Sequence, residues 1–308
     1  MHPALSIIVF STLSGLGYGL AFMLGLGMLD PAASATKVAH FTALALISGG
    51  LISSTLHLGN PQRAWRALSQ WRSSWLSREG ALAVFAFVPL VWSALACWVW
   101  DDYHPVPGLL GALSSAGTVY CTAMIYASLR SVDAWHTRLT PAVYLLFAGS
   151  GGAMLATLFA HAGGGEARIP GLLAAVALIA AWTVKLSWWR RLRLLVPTSS
   201  PESATGLGYI GKVSLFERPH VNENYLTREM GYQIARKHAD KLRRLALIFG
   251  AAVPAIILAL LLLLAPEAGL GSTLAAAFAA LCFAAGVFVE RWLFFAEARH
   301  AVMNYYGR

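Results

Sequence analysis

Residues 53–80 read SSTLHLGNPQRAWRALSQWRSSWLSREG, and this stretch joins two apolar runs at about 37–58 and 77–100. Each run is long enough to cross a bilayer, which takes ~20 apolar helical residues. The stretch between them holds Arg63, Arg66, Arg72 and Arg78 among tryptophans. Tryptophan beside arginine is the composition of a membrane edge, where amphipathic rings sit at headgroup level and cations face the cytoplasm.

The same reading extends to the whole chain. Its 308 residues are 57% hydrophobic and 12% charged, against about 25% charged in an ordinary soluble domain. Eight candidate spans stand at roughly 5–29, 37–58, 77–100, 107–129, 140–162, 168–189, 244–265 and 271–294. In lipid every backbone polar group must be satisfied within the segment, so spans of this kind are helices. The expectation is an all-α polytopic protein, a single membrane domain over 1–308 with one polar connection at 190–244. Met1-His2-Pro3-Ala4 lacks the basic start of a cleavable signal, so the first run is expected to stay as a helix. Cys97, Cys121 and Cys282 each lie inside an apolar run and form no CxxC pair. They read as small buried residues, not as a disulfide framework or a cluster site.

An even number of spans puts both termini on one side. That side collects Arg63, Arg66, Arg72, Arg78, Arg130, Arg138 and the basic set from Lys185 and Arg190 to Arg243 and Arg244. The other side has Lys37 and Arg168 against Asp30, Asp101, Asp102, Glu166 and Glu267. The asymmetry predicts cytoplasmic termini in a bacterial inner membrane. It also accounts for the net charge of +9 without nucleic acid.

Elsewhere the signals are plainer. Gly15, Gly17, Gly19, Gly25 and Gly27 in the first span read as close helix packing. Gly206, Gly208 and Gly211 do not follow a strand and make no dinucleotide fingerprint. Residues 224–247 carry a helical pattern, with Tyr232, Ile234, Ala235 and His238 near one another and Arg236, Lys237, Lys241, Arg243 and Arg244 behind them. That helix either lies against headgroups or docks a peripheral subunit. Tyr126 is either a packed tyrosine or a ligand contact. His40 and His161 stand toward the far side with no spacing that makes a haem pair. Glu290 and Arg291 read as an interfacial ion pair, with a proton-path role for Glu290 as the sharper alternative.

Residues 53–80 hold the chemistry. The topology returns His57 and Glu79 to one membrane edge. Asn60-Pro61 predicts a capped helix start. Ala64, Leu68, Trp71 and Trp75 then fall on one face, and Arg63, Arg66 and Gln70 on another, as in a helix lying in the interface. Anchoring explains the arginines and tryptophans. It explains less well an imidazole at the end of one span and a carboxylate at the start of the next. Exchange of two electrons and two protons with a quinone needs a group that hydrogen-bonds a quinone oxygen and a carboxylate that carries protons. The plainer reading has His57 capping a helix and Glu79 paired with Arg78 or Arg72.

The pattern His57-Leu58-Gly59-x-Pro61-x-Arg63-Ala64, followed by Leu76-Ser77-x-Glu79, resembles the membrane anchor subunit of dimethyl sulfoxide reductase, and the resemblance extends over nearly the whole chain. It implies quinone binding, ubiquinone or menaquinone, by the residues matching His57 and Glu79. Arg72, Trp75 and Tyr126 are added as further quinone contacts, and Arg63, Arg66, Arg78, Arg236 and Lys237 as docking residues. It implies a three-part complex in which a catalytic subunit holds molybdopterin guanine dinucleotide, a second subunit bears iron–sulfur clusters, and the anchor has no haem or metal. The opening 2-HPALSIIVFSTLSGLGYG-19, the WRSSWLSREG form at 71–80 and 228-REMGYQIARKHADKLRR-244 look more like anchors of membrane-bound sulfite dehydrogenase, where electrons pass from sulfite into quinone. A transporter would show an internal repeat with broken helices, and none is visible. A structural anchor without a quinone site stays open.

Overall fold

The computed structural model describes all residues except 1, 57, 218–221, 223, 225–227, 231–237, 265–267 and 307–308. Eight helices are long and apolar enough to span a membrane. They are α1 (Leu5–Gly25), α2 (Ser34–Leu56), α3 (Trp75–Trp100), α4 (Pro105–Ala127), α5 (Leu139–Gly163), α6 (Arg168–Leu194), α8 (Ala239–Leu264) and α9 (Leu270–Ala296). A short α7 (Pro201–Thr205) lies in the connection between α6 and α8. Among the described residues there is no strand. Every expected span is present, with ends moved by a few residues.

α1 is the most enclosed span, packed by α2, α4, α5 and α9. Its glycines make that possible. A Cβ on Gly19 would overlap the Ala148 carbonyl of α5, and one on Gly152 would overlap Gly19 itself. Without a strong hydrophobic drive between helices in lipid, such backbone approach is what binds them. α8 is broken by a π turn at Ile248–Ala252 ahead of Pro254. Proline has no N–H to give the carbonyl four residues back. Trp182 Nε1 of α6 donates to that carbonyl, Gly250 O, at 2.7 Å.

Both ends of the chain lie on the face where α2 ends and α3 begins, here the terminal face. His2 N donates to Glu229 O at 2.6 Å. The 128–138 loop folds back over the bundle, burying Val132 and Trp135. Trp135 Nε1 donates to Phe294 O at 2.9 Å. Asp133 accepts from Thr198 N at 2.9 Å and Thr198 Oγ1 at 2.6 Å, tying the long connection down. α7 was legible but overlooked: Ser200 is its cap, Pro201 its first residue and Gly206, at φ +70°, its left-handed stop. It meets the C-terminal 3₁₀ turn Ala301–Tyr306 through Tyr305 Oη, which donates to Ala204 O at 2.7 Å. The helix expected at 224–247 is described from Ala239 onward; Tyr232, Ile234, Ala235, Arg236 and Lys237 lie outside the described residues.

Residues Pro61–Gln70 do form a helix, but a 3₁₀ one. Three residues per turn put Trp65, Leu68 and Trp71 on one face in place of the α-helical set beginning at Ala64. All three are exposed. Asn60 makes no side-chain cap; Arg63 N bonds its backbone carbonyl at 3.0 Å.

Candidate functional site

The site is built on the first turns of α3. Ser74, in extended backbone, accepts from Ser77 N and starts the helix. Trp75 is its first residue, so Glu79 faces inward one turn deep and is 5% exposed. Its Oε1 is hydrogen-bonded by Thr122 Oγ1 of α4, which also stands 3.0 Å from Thr118 O. No cation among the described residues lies within ion-pair distance of Glu79, so the pairing with Arg78 or Arg72 is not what forms. Arg78 turns the other way. Its Nε donates to Trp71 O at 3.0 Å, its Nη2 to Arg72 O at 2.7 Å, and its guanidinium lies 4.3 Å from the Trp75 ring centre. It closes the 3₁₀ segment onto α3, as Leu68 does where its Cδ2 meets Gly80. Trp75 also meets Tyr120 edge-on at 5.9 Å.

Arg63, Arg66 and Arg72 are exposed; Arg66 and Arg72 lie over Trp65 and Trp71. Tyr126 is one turn of α4 beyond Thr122, on the same face. It sits in an aromatic group with Trp135 and Phe295 at 5.3 Å and Tyr144 at 5.9 Å. The structure thus gathers Glu79, Trp75, Arg72 and Arg78 at the start of α3, with Tyr126 behind Thr122. His57, Arg236 and Lys237 fall outside the described residues; α2 ends at Leu56.

The model for the DMSO reductase anchor subunit (DmsC) family matches residues 1–296. The chain belongs to that family. A sulfite dehydrogenase subunit of Allochromatium vinosum is 31% identical over an alignment covering 99% of each chain. No solved structure matches. The protein is therefore a multi-pass membrane anchor of the dimethyl sulfoxide reductase type.

Among the described residues of this anchor, no three His, Cys, Asp or Glu side chains stand together to hold a metal. His40 and His161 line different cavities and do not face one another. Cys97, Cys121 and Cys282 are buried and unpaired.

The anchor also contains a charged cluster that the sequence reading misplaced. Lys185 belongs to no loop: α6 runs on to Leu194, and Lys185 is fully buried. Its Nζ is 2.5 Å from Glu290 Oε1 of α9. Arg291 Nε is 3.5 Å from Glu290 Oε2 and its guanidinium lies 3.6 Å from the Tyr144 ring centre. Glu290 and Arg291 are 0% and 2% exposed, so they are not an interfacial anchor. Lys185 also sits 3.8 Å above Trp188. The available signal was three charges inside apolar windows, which demand partners.

Two turns beyond Glu290, Glu297 takes Arg243 Nη2 at 2.6 Å and Trp189 Nε1 at 3.2 Å. Arg243 in turn holds exposed Asp240 at 3.0 Å. Burial raises the Glu297 carboxyl above the usual carboxylate value, against the pull of Arg243 and Lys185.

Proposed function

We propose that this anchor reacts with quinone in a molybdoenzyme complex, passing electrons between the quinone pool and an iron–sulfur subunit. The direction favoured is quinone reduction with electrons from sulfite oxidation at a molybdopterin guanine dinucleotide subunit. The full-length similarity to a subunit named for sulfite dehydrogenase supports that direction. The same site run backwards would oxidise quinol for sulfoxide reduction.

One observation carries the quinone reading. Glu79 is a buried carboxylate, held by a hydroxyl and by no described cation, one turn inside a face rich in tryptophan and arginine. With no cation beside it to hold its charge, a carboxylate at that depth is free to load and release a proton. In this reading His57 hydrogen-bonds a quinone oxygen and Glu79 exchanges protons with it. Trp75, Arg72 and Tyr126 line the approach of the ring. Arg63 and Arg66, exposed on the segment that Arg78 holds in shape, meet the iron–sulfur subunit with Arg236 and Lys237. Both termini then face the cytoplasm.

The test uses the intact complex. In Glu79→Gln and His57→Ala, quinone-coupled turnover is expected to fall roughly 100-fold or more, with assembly and reaction with a soluble dye acceptor retained. Full quinone turnover with unchanged quinone-analogue binding in both variants would refute the assignment.

A further inference from the structure

The Glu79 site and the Lys185–Glu290–Arg291 cluster stand in one layer of the bundle. All of these residues lie within a few turns of the terminal face on their own helices: α3 and α4 carry Glu79 and Thr122, α6 carries Lys185, and α9 carries Glu290 and Arg291. Between the two groups is a small cavity of about 20 Å³ lined by α1, α4, α5 and α9. Thr122 lines it from the side of Glu79, and Arg291 and Tyr144 line it from the side of Glu290. A volume of ~10–15 Å³ with two to four polar partners is enough for a water molecule. The partners are there. Thr12 Oγ1, Tyr144 Oη and Arg291 Nη1 belong to side chains more than nine-tenths buried that line this cavity; Thr12 Oγ1 has no hydrogen-bond partner among the described residues, and Tyr144 meets Arg291, whose guanidinium has further N–H groups to offer. Thr122 adds the hydroxyl already bonded to Glu79.

From the cavity the polar path continues outward. Arg291 contacts Glu290, Glu290 contacts Lys185, and Lys185 lies 5.1 Å from the ring centre of Trp189, whose Nε1 donates to Glu297 at 3.2 Å. Glu290 and Glu297 are seven residues apart and share a face of α9. Glu297 meets Arg243, and Arg243 meets Asp240, whose side chain is 81% exposed at the terminal face.

Stability gives no strong reason for such a cluster. A buried ion group loses more in desolvation than apolar residues of the same volume would, so its retention inside a membrane protein calls for a functional reason. Anchoring the helices does not need it either, since α1, α5, α6 and α9 already pack closely through small and aromatic residues.

We propose that protons reach Glu79 sideways, through water in this cavity and the Arg291–Glu290–Lys185–Glu297–Arg243 chain, from the same face that carries the termini. The proposal rests on the quinone reading of Glu79. Each quinone reduced takes two electrons from the iron–sulfur subunit and two protons from Glu79. After each transfer the Glu79 carboxylate is reprotonated through the Thr122 hydroxyl and the cavity water. Glu290, whose neighbour Arg291 lines the cavity, refills the water; Lys185 passes its proton to Glu290 and is reprotonated from Glu297, and bulk water refills Glu297. Arg291 and Arg243 do not carry the proton in this scheme; Arg291 orients the water and, with Lys185, holds the Glu290 carboxylate. Quinol oxidation runs the same chain outward. Both protons are thus taken from and returned to one side, and no charge crosses the bilayer in the process.

The test is made on the whole complex in proteoliposomes with Glu290→Gln, Tyr144→Phe and Thr12→Val. Glu290→Gln removes the titrating carboxyl. The other two remove cavity hydroxyls, leave the ion cluster in place and decide the matter if Glu290→Gln fails to assemble. Expected are wild-type affinity for a quinone-site inhibitor, wild-type reaction with a soluble dye acceptor, quinone turnover lowered roughly tenfold in Glu290→Gln, and a larger solvent deuterium isotope effect in all three. Wild-type quinone turnover and isotope effect in the assembled variants overturn the relay and leave the Glu79 site standing. Absence of inhibitor binding to the wild-type complex overturns both.

Discussion

Lys185→Met is the most demanding test of the buried cluster. Methionine matches the length of the lysine stem and fills its place against Trp188, so little packing is lost. What is lost is the 2.5 Å contact to Glu290. Glu290 is 0% exposed and keeps only Arg291, at 3.5 Å through Nε. Breaking a buried pair by removing one partner costs ~3–5 kcal/mol, because the other charge stays buried without compensation. Arg291 remains, so the lower end, about 3 kcal/mol, is expected. Adding Glu290→Gln leaves Arg291 buried without a counter-ion, so the double variant is expected to be less stable than Lys185→Met, but by less than the sum of the two single losses, a coupling of at least ~1 kcal/mol. Unfolding of the detergent-solubilised anchor, followed by tryptophan fluorescence across an SDS titration, measures both. Lys185→Met within about 0.5 kcal/mol of wild type, with no coupling to Glu290→Gln, would refute the view that the pair forms in the membrane.

The α1–α5 contact predicts a position-specific response to added bulk. Gly19→Ala forces a methyl into the Ala148 carbonyl and should cost ~1–3 kcal/mol, whereas Gly49→Ala, whose Cβ would sit 3.9 Å from Leu13 Cδ1, should be neutral within ~0.5 kcal/mol; the same unfolding titration compares them. At the surface, Glu202 is held below the usual carboxylate value by the Ser200 side chain, then by its own backbone and by Val213 N, which donates to Oε1 at 3.1 Å. A depressed folded-state pKa gives stabilisation that is present above the unfolded value and lost as pH falls through the folded one. The protection factor of the Val213 amide, the intrinsic exchange rate over the observed rate at the same pH, is therefore expected to fall only at pH below the normal carboxylate range, and Glu202→Gln should remove that pH dependence.

The number of spans, their approximate ends and the gathering of both termini on one face were legible in the sequence. Each depends on local quantities, namely the length of an apolar run and the sign of the charges that follow it. Glu79 was legible for the same reason, as a carboxylate just inside a span. Its partner was not. Thr122 lies 43 residues away, and nothing in a threonine on an apolar helix announces which neighbour it faces. The nearest cations in sequence, Arg72 and Arg78, were the obvious partners, but the backbone carbonyls of the 3₁₀ segment hold Arg78 instead.

Apolar run lengths and charge placement were enough to establish an eight-helix membrane protein with a proton-capable residue at a basic, tryptophan-rich edge. The role of the remaining buried charges was set by packing. Lys185 read as the start of a basic loop and Glu290 with Arg291 as a pair at the membrane surface. Packing of α6 against the α5–α9 core turned all three inward to one another. A buried charge in lipid must find a partner; the sequence states that need, and the crossing of distant helices supplies the answer.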